Sequence, residues 1–408
     1  MEDSLSLSDT FTDSRCPGRL ARTLSYYAAF IGLGLVLASV GPTLPGLAKQ
    51  TGSSLSSLST IFVARSAGYL TGALFGGRLY DRYPGQALMA STLVLMAAGM
   101  ALVPLMASVL LLTAVLYAIG FGEGALDAGG NTLLIWQYPT GLGPWMNGLH
   151  FFFGVGAFVS PLIVSAAIPE DGSIALAYWI LAAALLPFIL FVGLQPSPRI
   201  APHAANNGVG SLREHRLTIL LIGGLLFSAV GAEVGYGNWI YTYSLTLNLT
   251  DTSSAATLTS AYWGAFTFGR LLGIPLAARS TPRTIMLICF TGVAAASLGM
   301  LADPSSKLML WAGTIVAGIA VAPTFATVIS LAEEQMPISG RATGWFFVGS
   351  SSGGMSIPWI IGQLFESLGP EWTFYVVLGD VFLGLVVLVI FHQLRPTRAT
   401  SVSKTSGT

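Results

Sequence analysis

Residues 195–216 read QPSPRIAPHAANNGVGSLREHR, a polar stretch with proline and glycine inside an otherwise apolar chain. Such a cluster of Pro, Asn, Gly and charged residues is typical of a linker. On each side of it we count six apolar runs of roughly 20 residues, and each run is long enough to cross a hydrocarbon core of about 30 Å as a helix. The sequence therefore predicts an all-α membrane protein with twelve transmembrane helices in two six-helix halves.

The composition agrees with a membrane location. Of the 408 residues, 53% are hydrophobic and 9% are charged, whereas soluble domains carry roughly 25% charged residues. The formal net charge is zero, which gives no reason to expect a nucleic-acid partner. No zinc-type Cys/His spacing and no nucleophile–base constellation occurs, so we predict no metal, no cofactor and no enzymatic activity.

The spans set the predicted boundaries along the chain. We expect a disordered cytoplasmic tail over 1–23, the two halves over 24–194 and 217–392, the linker between them, and a second tail over 393–408. Of the 18 Lys and Arg residues, we place fourteen on the linker side of the membrane and two on the other side. Because cytoplasmic loops are enriched in these residues, both termini are predicted to be cytoplasmic, in a multi-pass protein of the cell or plasma membrane.

The two halves also repeat weakly. A shift of 201 positions superposes four pairs of like residues, which are Gly68 on Gly269, Gly72 on Gly273, Arg78 on Arg279 and Arg82 on Arg283. Related halves in parallel arrangement are a known architecture of secondary transporters.

The fourth span contains GFGEGALDAGGN, residues 120–131, with two carboxylates in an apolar run. Glu123, Asp127 and Asn131 are spaced i, i+4 and i+8, so they share one helix face. An ionisable residue at the centre of a membrane helix costs at least ~2.5–3.5 kcal/mol, which favours a wet cavity or an ion pair. We predict that Asp127 and Asn131 bind the transported solute and that Asp127 and Glu123 take part in ion coupling. The alternative is that one of the acids only pairs with Arg65 of the second span.

The seventh span carries the next candidate, Glu233, for solute binding and ion coupling. Gly235 and Gly237 follow it, and we expect them to interrupt this span, because transporters often build their sites at discontinuous helices near the membrane midplane. A structural ion pair with Arg270 is the alternative, and both Arg270 and Arg65 are predicted to balance buried carboxylates. The remaining predicted solute-binding residues are His150, Asn238, Trp239 and Trp263.

GGRLYDRYPGQ, residues 76–86, resembles a loop signature of the major facilitator superfamily in Gly77, Asp81 and Arg82. Its carboxylate can accept hydrogen bonds from a helix N-terminus across the interface of the halves, so we predict a gating role for these three residues. The alternative is a charged loop that only anchors the chain at the membrane surface.

Several further segments, in order, resemble the fucose–galactose–proton symporter family of this superfamily, and more closely its sodium-dependent glucose transporter-like branch. The resemblance covers nearly all of 24–392. It rests on the segments GRLYDRYPG, LDAGGN, NGLHFFFGVGAFVSP, VGAEVGYGNWIYTY, YWGAFTFGRLLGIP, APTFATVISL and SSGGMSIPWIIG.

The resemblance implies a role for each matching residue. Asp127 stands where these symporters have a fourth-span acid of proton coupling and sugar binding, and Asn131 where they have the following Asn. His150 and Glu233 match polar residues of the fifth and seventh spans, and Arg270 matches the eighth-span Arg.

One position departs from the family pattern. The first span reads VGPTLPG and has Gly41 where proton symporters have an acid. Three possibilities therefore stay open: Glu123 or Glu233 substitutes for that acid, sodium is the coupling ion, or the protein is a uniporter.

We therefore expect a secondary transporter that moves a small neutral solute, above all a monosaccharide, by alternating access and in symport with H+ or Na+. One alternative is a proton-coupled exporter of amphipathic compounds, which needs a larger and mostly apolar cavity. Another is a transporter-like sensor that binds its ligand without moving it.

Overall fold

A computed structural model describes residues 17–138, 140–168, 172–197, 215–336 and 340–393. Within these ranges the regular structure is helical and no strand occurs. The first half contains α1 Pro17–Leu37, α2 Val40–Thr51, α3 Leu55–Leu58, α4 Thr60–Tyr80, α5 Gly85–Leu102 with a 3-10 turn at Val103–Leu105, α6 Val109–Gln137, α7 Leu142–Ala167 and α8 Ala175–Gly193. The second half contains α9 Arg216–Thr246, α10 Thr252–Arg279, α11 Pro282–Ala302, α12 Lys307–Val321, α13 Thr324–Gln335, α14 Gly340–Leu368 and α15 Trp372–Gln393.

The first helix begins earlier than the sequence predicts. Residues 17–23 were assigned to the tail but are helical in α1. Their polar side chains are held by the end of α6, since Arg19 Nη2 donates to the Gln137 carbonyl oxygen at 2.7 Å and Arg22 Nε donates to Gln137 Oε1 at 3.2 Å. Residues 1–16, most of the linker (198–214) and 394–408 lie outside the described residues.

The helices pair in the same way in both halves. In the first half α1 packs on α7, α4 on α6 and α5 on α8, and in the second half α9 packs on α14, α10 on α12 and α11 on α15. These are equivalent spans, counted from the start of each half. The packing therefore agrees with two related six-span halves.

Nine helical segments among the described residues are long and apolar enough to cross a membrane by length and composition alone. The other three spans are α4, α10 and α14, which contain Arg65, Arg270 and the stretch GSSSGG at 349–354. Their polar residues line a cavity between the halves rather than face lipid. The low hydropathy of these three spans is thus a consequence of their position at the centre of the molecule.

Two spans are broken near their middle. The first span is broken at residues 38–39, between α1 and α2, and the tenth at residues 322–323, between α12 and α13. Proline explains both breaks, because Pro42 has no N–H to donate to the carbonyl of Ala38, and Pro323 lies at the second break. The carbonyl groups freed in this way become available to other side chains.

The predicted interruption of the seventh span is wrong. α9 is continuous through Gly235 and Gly237. These glycines instead admit large neighbours, since a Cβ on Gly235 would lie 2.8 Å from Ile357 Cγ2 and one on Gly237 would lie 2.8 Å from Tyr262 Cε1. The same pair of glycines could indicate either a helix break or a close contact between helices, and here it marks a close contact.

Glycines bring the backbones of α4 and α6 into direct contact. A Cβ on Gly68 would lie 2.1 Å from the Tyr117 carbonyl oxygen, and one on Gly124 would lie 2.0 Å from the Tyr69 carbonyl oxygen. Small residues of this kind let membrane helices approach closely, where packing rather than the hydrophobic effect drives association. In the second half, Gly269 of α10 makes the equivalent close contact with the backbone of α12.

On the face opposite the linker, which we call the far face, hydrogen bonds join the two halves. The Gln363 side chain of α14 accepts a bond from Ser56 Oγ at 2.9 Å and donates to Ser59 Oγ at 3.1 Å. The Glu366 carboxylate accepts a bond from the Leu55 backbone N–H at 2.9 Å. We call these contacts the far-face seal.

We expect Gly124→Ala to destabilise the protein by about 1–3 kcal/mol, because the added methyl forces α4 and α6 apart. Gly379→Ala is the matched control, since a Cβ there meets nothing within 4 Å. That control is expected to be neutral or stabilising, as alanine favours a helix over glycine by about 1 kcal/mol. Thermal unfolding of the purified proteins in detergent measures the difference, and equal melting temperatures would contradict the packing argument.

Candidate transport site

A central cavity of about 200 Å³ lies between the halves. Four helices of each half line it: α1, α4, α6 and α7 on one side, and α9, α10, α13 and α14 on the other. Its apolar wall includes several phenylalanines. Its polar wall consists of Arg65, Ser66, Tyr69, Glu123, Asp127, His150, Glu233, Asn238, Arg270, Ser350 and Ser351.

Two polar pairs connect α4 and α6 across the glycine contact. Arg65 forms a two-bond ion pair with Glu123, with Nε and Oε2 2.9 Å apart and Nη2 bonded to Oε1. One turn further, Tyr69 Oη donates to Asp127 Oδ2 at 2.5 Å. Arg65 and Tyr69 are four residues apart in α4, as are Glu123 and Asp127 in α6. The two pairs therefore fix one register between these helices.

Arg65 also satisfies the break in the first span. Its Nη2 donates to the Val36 carbonyl oxygen at 3.0 Å and its Nη1 to the Leu37 carbonyl oxygen at 3.2 Å. The side chains of Arg65 and Glu123 are 10% and 2% exposed, so this is a buried pair with its remaining donors satisfied. Such a pair is suited to hold structure, because both charges are compensated.

Asp127 is held in one orientation. Tyr69 supplies one donor to its Oδ2, and Asn131 Nδ2 donates to its Oδ1 at 3.1 Å and to its backbone carbonyl at 2.8 Å. Each carboxylate oxygen keeps further acceptor capacity. Asp127 therefore presents a fixed acceptor to the cavity, and Asn131 acts as the residue that positions it.

The opposite wall holds ionisable groups with fewer partners. None of the described residues donates a hydrogen bond to the Glu233 carboxylate, while its backbone carbonyl accepts one from Tyr262 Oη at 2.8 Å. Arg270 Nη1 is buried without a hydrogen-bond partner, and the guanidinium carbon lies 4.4 Å from the centroid of the Phe266 ring. His150 meets the Phe30 ring edge-on at 5.9 Å.

A second cavity of about 440 Å³ lies between α7 and α10, toward the linker face. It shares His150, Arg270 and Phe325 with the central cavity and extends to Ser280 and Pro282 at the turn between α10 and α11. The central cavity thus continues toward the linker face, whereas the far-face seal joins the halves on the other side.

A sequence model of the Major Facilitator Superfamily matches residues 20–337 and 235–407. The chain belongs to this superfamily. It is 30% identical over 407 residues to Sodium-dependent glucose transporter 1A of Mus musculus, which covers 90% of this chain and 95% of the relative. It is 31% identical to Sodium-dependent glucose transporter 1 of Homo sapiens, over 90% of this chain and 78% of the relative. The solved structure of a D-xylose-proton symporter shares the fold, with a TM-score of 0.75 at 14% identity over 93% of this chain and 98% of that one.

Membership of the superfamily confirms the prediction of an all-α protein with twelve transmembrane helices in two halves. The protein is an integral multi-pass membrane transporter and not an enzyme. The central cavity between its halves is the place where such a transporter holds its solute.

Most of the predicted site residues meet at this cavity. Glu123, Asp127, His150, Glu233 and Asn238 line it together with the two arginines. Asn131 does not line the cavity but donates a hydrogen bond to Asp127. The ion pair that the sequence left open for Glu123 and Arg65 is present, so Glu123 is the acid whose charge is already balanced.

Arg270 does not balance a carboxylate by direct contact. No acid of the described residues lies within 4.0 Å of its guanidinium, which rests on the Phe266 ring instead. The alternative of a structural ion pair between Glu233 and Arg270 is therefore wrong for this conformation. Both groups face the cavity with unused hydrogen-bonding capacity.

The prediction that Trp239 and Trp263 supply apolar faces for the solute is wrong. Both are buried between helices and neither lines the cavity. Trp239 Nε1 donates to the Pro358 carbonyl oxygen at 3.0 Å, and Trp263 packs edge-on against Phe266. A large apolar ring gains more from a helix interface than from a wet cavity, and the cavity takes its aromatic faces from phenylalanines.

The loop residues lie apart from the cavity. Gly77 belongs to the last turn of α4, and Asp81 and Arg82 follow in the turn that leads to α5 at the linker face. None of the three lines either cavity. Their gating role stays a prediction.

Gly41 occupies its position for a steric reason. A Cβ there would lie 3.0 Å from Asn238 Cα and 3.1 Å from the Gly237 carbonyl oxygen, across the interface of the halves. An acid does not fit at this point while the halves are in contact. The missing first-span acid is thus replaced by a close backbone contact.

Sequence reasoning missed Tyr69, Ser350 and Ser351. Tyr69 lies one turn after Arg65, and this spacing repeats that of Glu123 and Asp127, which was the available signal. The serines belong to a small-residue run whose orientation the sequence does not define. Ser351 Oγ is buried without a hydrogen-bond partner and lies at the cavity wall.

We expect Glu123→Gln to cost about 3–5 kcal/mol of stability, because it leaves the buried Arg65 charge uncompensated. Adding Arg65→Met removes that charge and is expected to recover part of the loss, although the Val36 and Leu37 carbonyls then lose the bonds from Arg65. Thermal unfolding of the single and double variants tests this. A double variant less stable than the single one would show that the ion pair is not the main contribution.

Proposed function

We propose that this protein moves a monosaccharide across the membrane by alternating access, together with a cation, H+ or Na+. The observation that carries the proposal is the fixed Asp127 carboxylate, held by Tyr69 and Asn131, at the wall of the small central cavity. A carboxylate oriented by two donors is a strong acceptor for the hydroxyl groups of a sugar. The names of the relatives at about 30% identity support the same solute class.

The size of the cavity supports a small solute. Its volume of about 200 Å³ is below the roughly 300–1,000 Å³ typical of sites for drug-sized ligands. Hydroxyl, amide and imidazole groups are distributed around it, and Ser350, Ser351 and Asn238 face Asp127 from the other half. Neutral solutes with many hydroxyl groups match such a wall.

The distribution of basic residues supports a cytoplasmic linker face with both termini on that side. With this orientation the far-face seal closes the outside and the second cavity opens toward the cytoplasm, which is an inward-facing arrangement. A location in the plasma membrane is part of the same proposal.

The two alternatives are less well supported. The wall of the central cavity is largely apolar, as an exporter of amphipathic compounds needs, but its volume of about 200 Å³ is small and it carries three acids, which favours a small polar solute. A sensor that binds without flux has the same site but gives no transport, so a flux measurement separates it from a transporter.

The proposal predicts sugar counterflow in proteoliposomes for at least one hexose, pentose or deoxyhexose. Asp127→Asn is expected to lower this counterflow at least about tenfold, because a hydrogen bond to a charged group contributes about 1.5–3 kcal/mol. Glu333→Gln on the exposed surface of α13 is the matched control and should transport normally. Absence of counterflow for every sugar with a folded protein, or normal counterflow by Asp127→Asn, would overturn the assignment.

Tyr69→Phe tests the positioning of Asp127 directly. We expect the half-saturating sugar concentration to rise about tenfold while the protein folds normally, because Asp127 keeps its charge but loses one donor. Tyr117→Phe removes a hydroxyl that bonds Thr71 on the outer surface of the same helix pair and is expected to leave the value unchanged. Equal half-saturation in both variants would argue against a role for Tyr69.

A further inference from the structure

We propose that Glu233 is the residue that holds the coupling cation, while Asp127 serves the sugar. This division rests on the proposed sugar symport and assigns one partner to each half, since Asp127 belongs to α6 and Glu233 to α9. It selects one of the possibilities that the absence of a first-span acid leaves open.

The first argument is the charge balance of the cavity. Arg65 and Glu123 cancel in their ion pair. The ionisable groups left at the wall are Asp127, Glu233, Arg270 and His150, and the first three carry the charges counted here. With both acids ionised the cavity has a net charge of about −1, and a buried uncompensated charge is unfavourable. One monovalent cation restores neutrality, which is the stoichiometry of a simple symporter.

The second argument is the difference between the two acids. Asp127 has a donor on each carboxylate oxygen, at 2.5 Å and 3.1 Å, and these bonds stabilise its charged form without a cation. No described residue donates to the Glu233 carboxylate. A cation therefore gains more at Glu233, where it replaces no protein hydrogen bond.

The third argument concerns the groups that face Glu233. Arg270 of α10 is the nearest compensating charge, yet its guanidinium rests on Phe266 and its Nη1 has no partner. Tyr69 faces Glu233 from the other half, and Tyr262 contacts its backbone. These surroundings leave the carboxylate accessible from the cavity and fixed in place by its helix.

Either a proton or a sodium ion fits this position. A proton needs only the carboxylate. A sodium ion needs further oxygen ligands, and the same wall offers Ser351 Oγ, which is buried without a partner, and Asn238, whose Nδ2 donates to the Val234 carbonyl at 2.8 Å and leaves its oxygen available. The common requirement is a monovalent cation at the Glu233 carboxylate.

The test separates coupling from sugar binding in proteoliposomes. Sugar accumulation is measured under a tenfold inward sodium gradient at equal pH, and under a tenfold proton gradient without sodium, with the membrane potential clamped. In wild type, one of the two gradients should drive up to about tenfold accumulation if one cation moves with each sugar. Counterflow without any gradient is measured in parallel and reports sugar binding and exchange alone.

Glu233→Gln is expected to keep counterflow within about threefold of wild type and to reduce accumulation to a ratio of about 1. Glu233→Asp, which keeps the charge, should retain ion-driven accumulation, and Glu333→Gln is the matched control outside the cavity. Retained counterflow also shows that the variant is folded. Asp127→Asn should lose both activities.

Three outcomes would overturn the assignment. Gradient-driven accumulation by Glu233→Gln would show that the cation binds elsewhere. Loss of counterflow in Glu233→Gln, with an unchanged melting temperature, would make Glu233 a sugar ligand. If wild type shows counterflow but neither gradient drives accumulation, the protein is a uniporter. The proposed sugar transport would then stand without this inference.

Discussion

The contact between α4 and α6 is the constraint on which the transport site depends. At Gly68, Gly72, Gly120 and Gly124 no side chain separates the two helices, so the backbones touch. At this separation the side chains beside the glycines reach across, and Arg65 meets Glu123 while Tyr69 meets Asp127. A slightly wider helix pair would leave two acids and a guanidinium unpaired inside the membrane, which is costly. The close packing and the polar pairs therefore require each other.

The same region stabilises the broken first span. Pro42 removes the donor that the Ala38 carbonyl would use, and the neighbouring carbonyls of Val36 and Leu37 turn to Arg65. One guanidinium thus connects α1, α4 and α6. By contrast, the wall from the second half contains Glu233 and Arg270 with few fixed partners. The site combines a rigid side built by hydrogen bonds and a side whose polar groups are available to ligands.

Parts of this site could be predicted from the sequence for a simple physical reason. An ionisable residue in an apolar span must face a cavity or a partner, so Glu123, Asp127 and Glu233 were found by composition alone. Which acid finds a charged partner depends on helix packing, so the sequence could not separate Glu123, which pairs with Arg65, from Glu233, which forms no ion pair. Tyr69 and Ser351 were missed because hydroxyl groups are tolerated in membrane helices without special cause. The tryptophans were misplaced because their depth in a span does not reveal which helix they face.

The fold was more predictable than the course of its helices. Hydropathy and the linker define twelve spans, but glycine marks close contacts in α9 rather than a break. The breaks lie just before Pro42 in the first span and at Pro323 in the tenth. A glycine that weakens a helix and a glycine that admits a neighbouring helix look alike in sequence, because both lack a side chain. Only the neighbouring helix decides between them.

The far-face seal consists of an amide, two hydroxyl groups and one carboxylate bound to backbone N–H groups, with no ion pair among these residues. The amide–hydroxyl hydrogen bonds join neutral groups and are little affected by ionic strength, and the one charged member, Glu366, bonds to uncharged N–H groups, so added salt weakens this seal less than it weakens exposed ion pairs. The tendency of this face to open is therefore nearly the same in dilute and in concentrated salt. A response of the transporter to sodium then reflects occupancy of a binding site, and not general screening of the far-face seal.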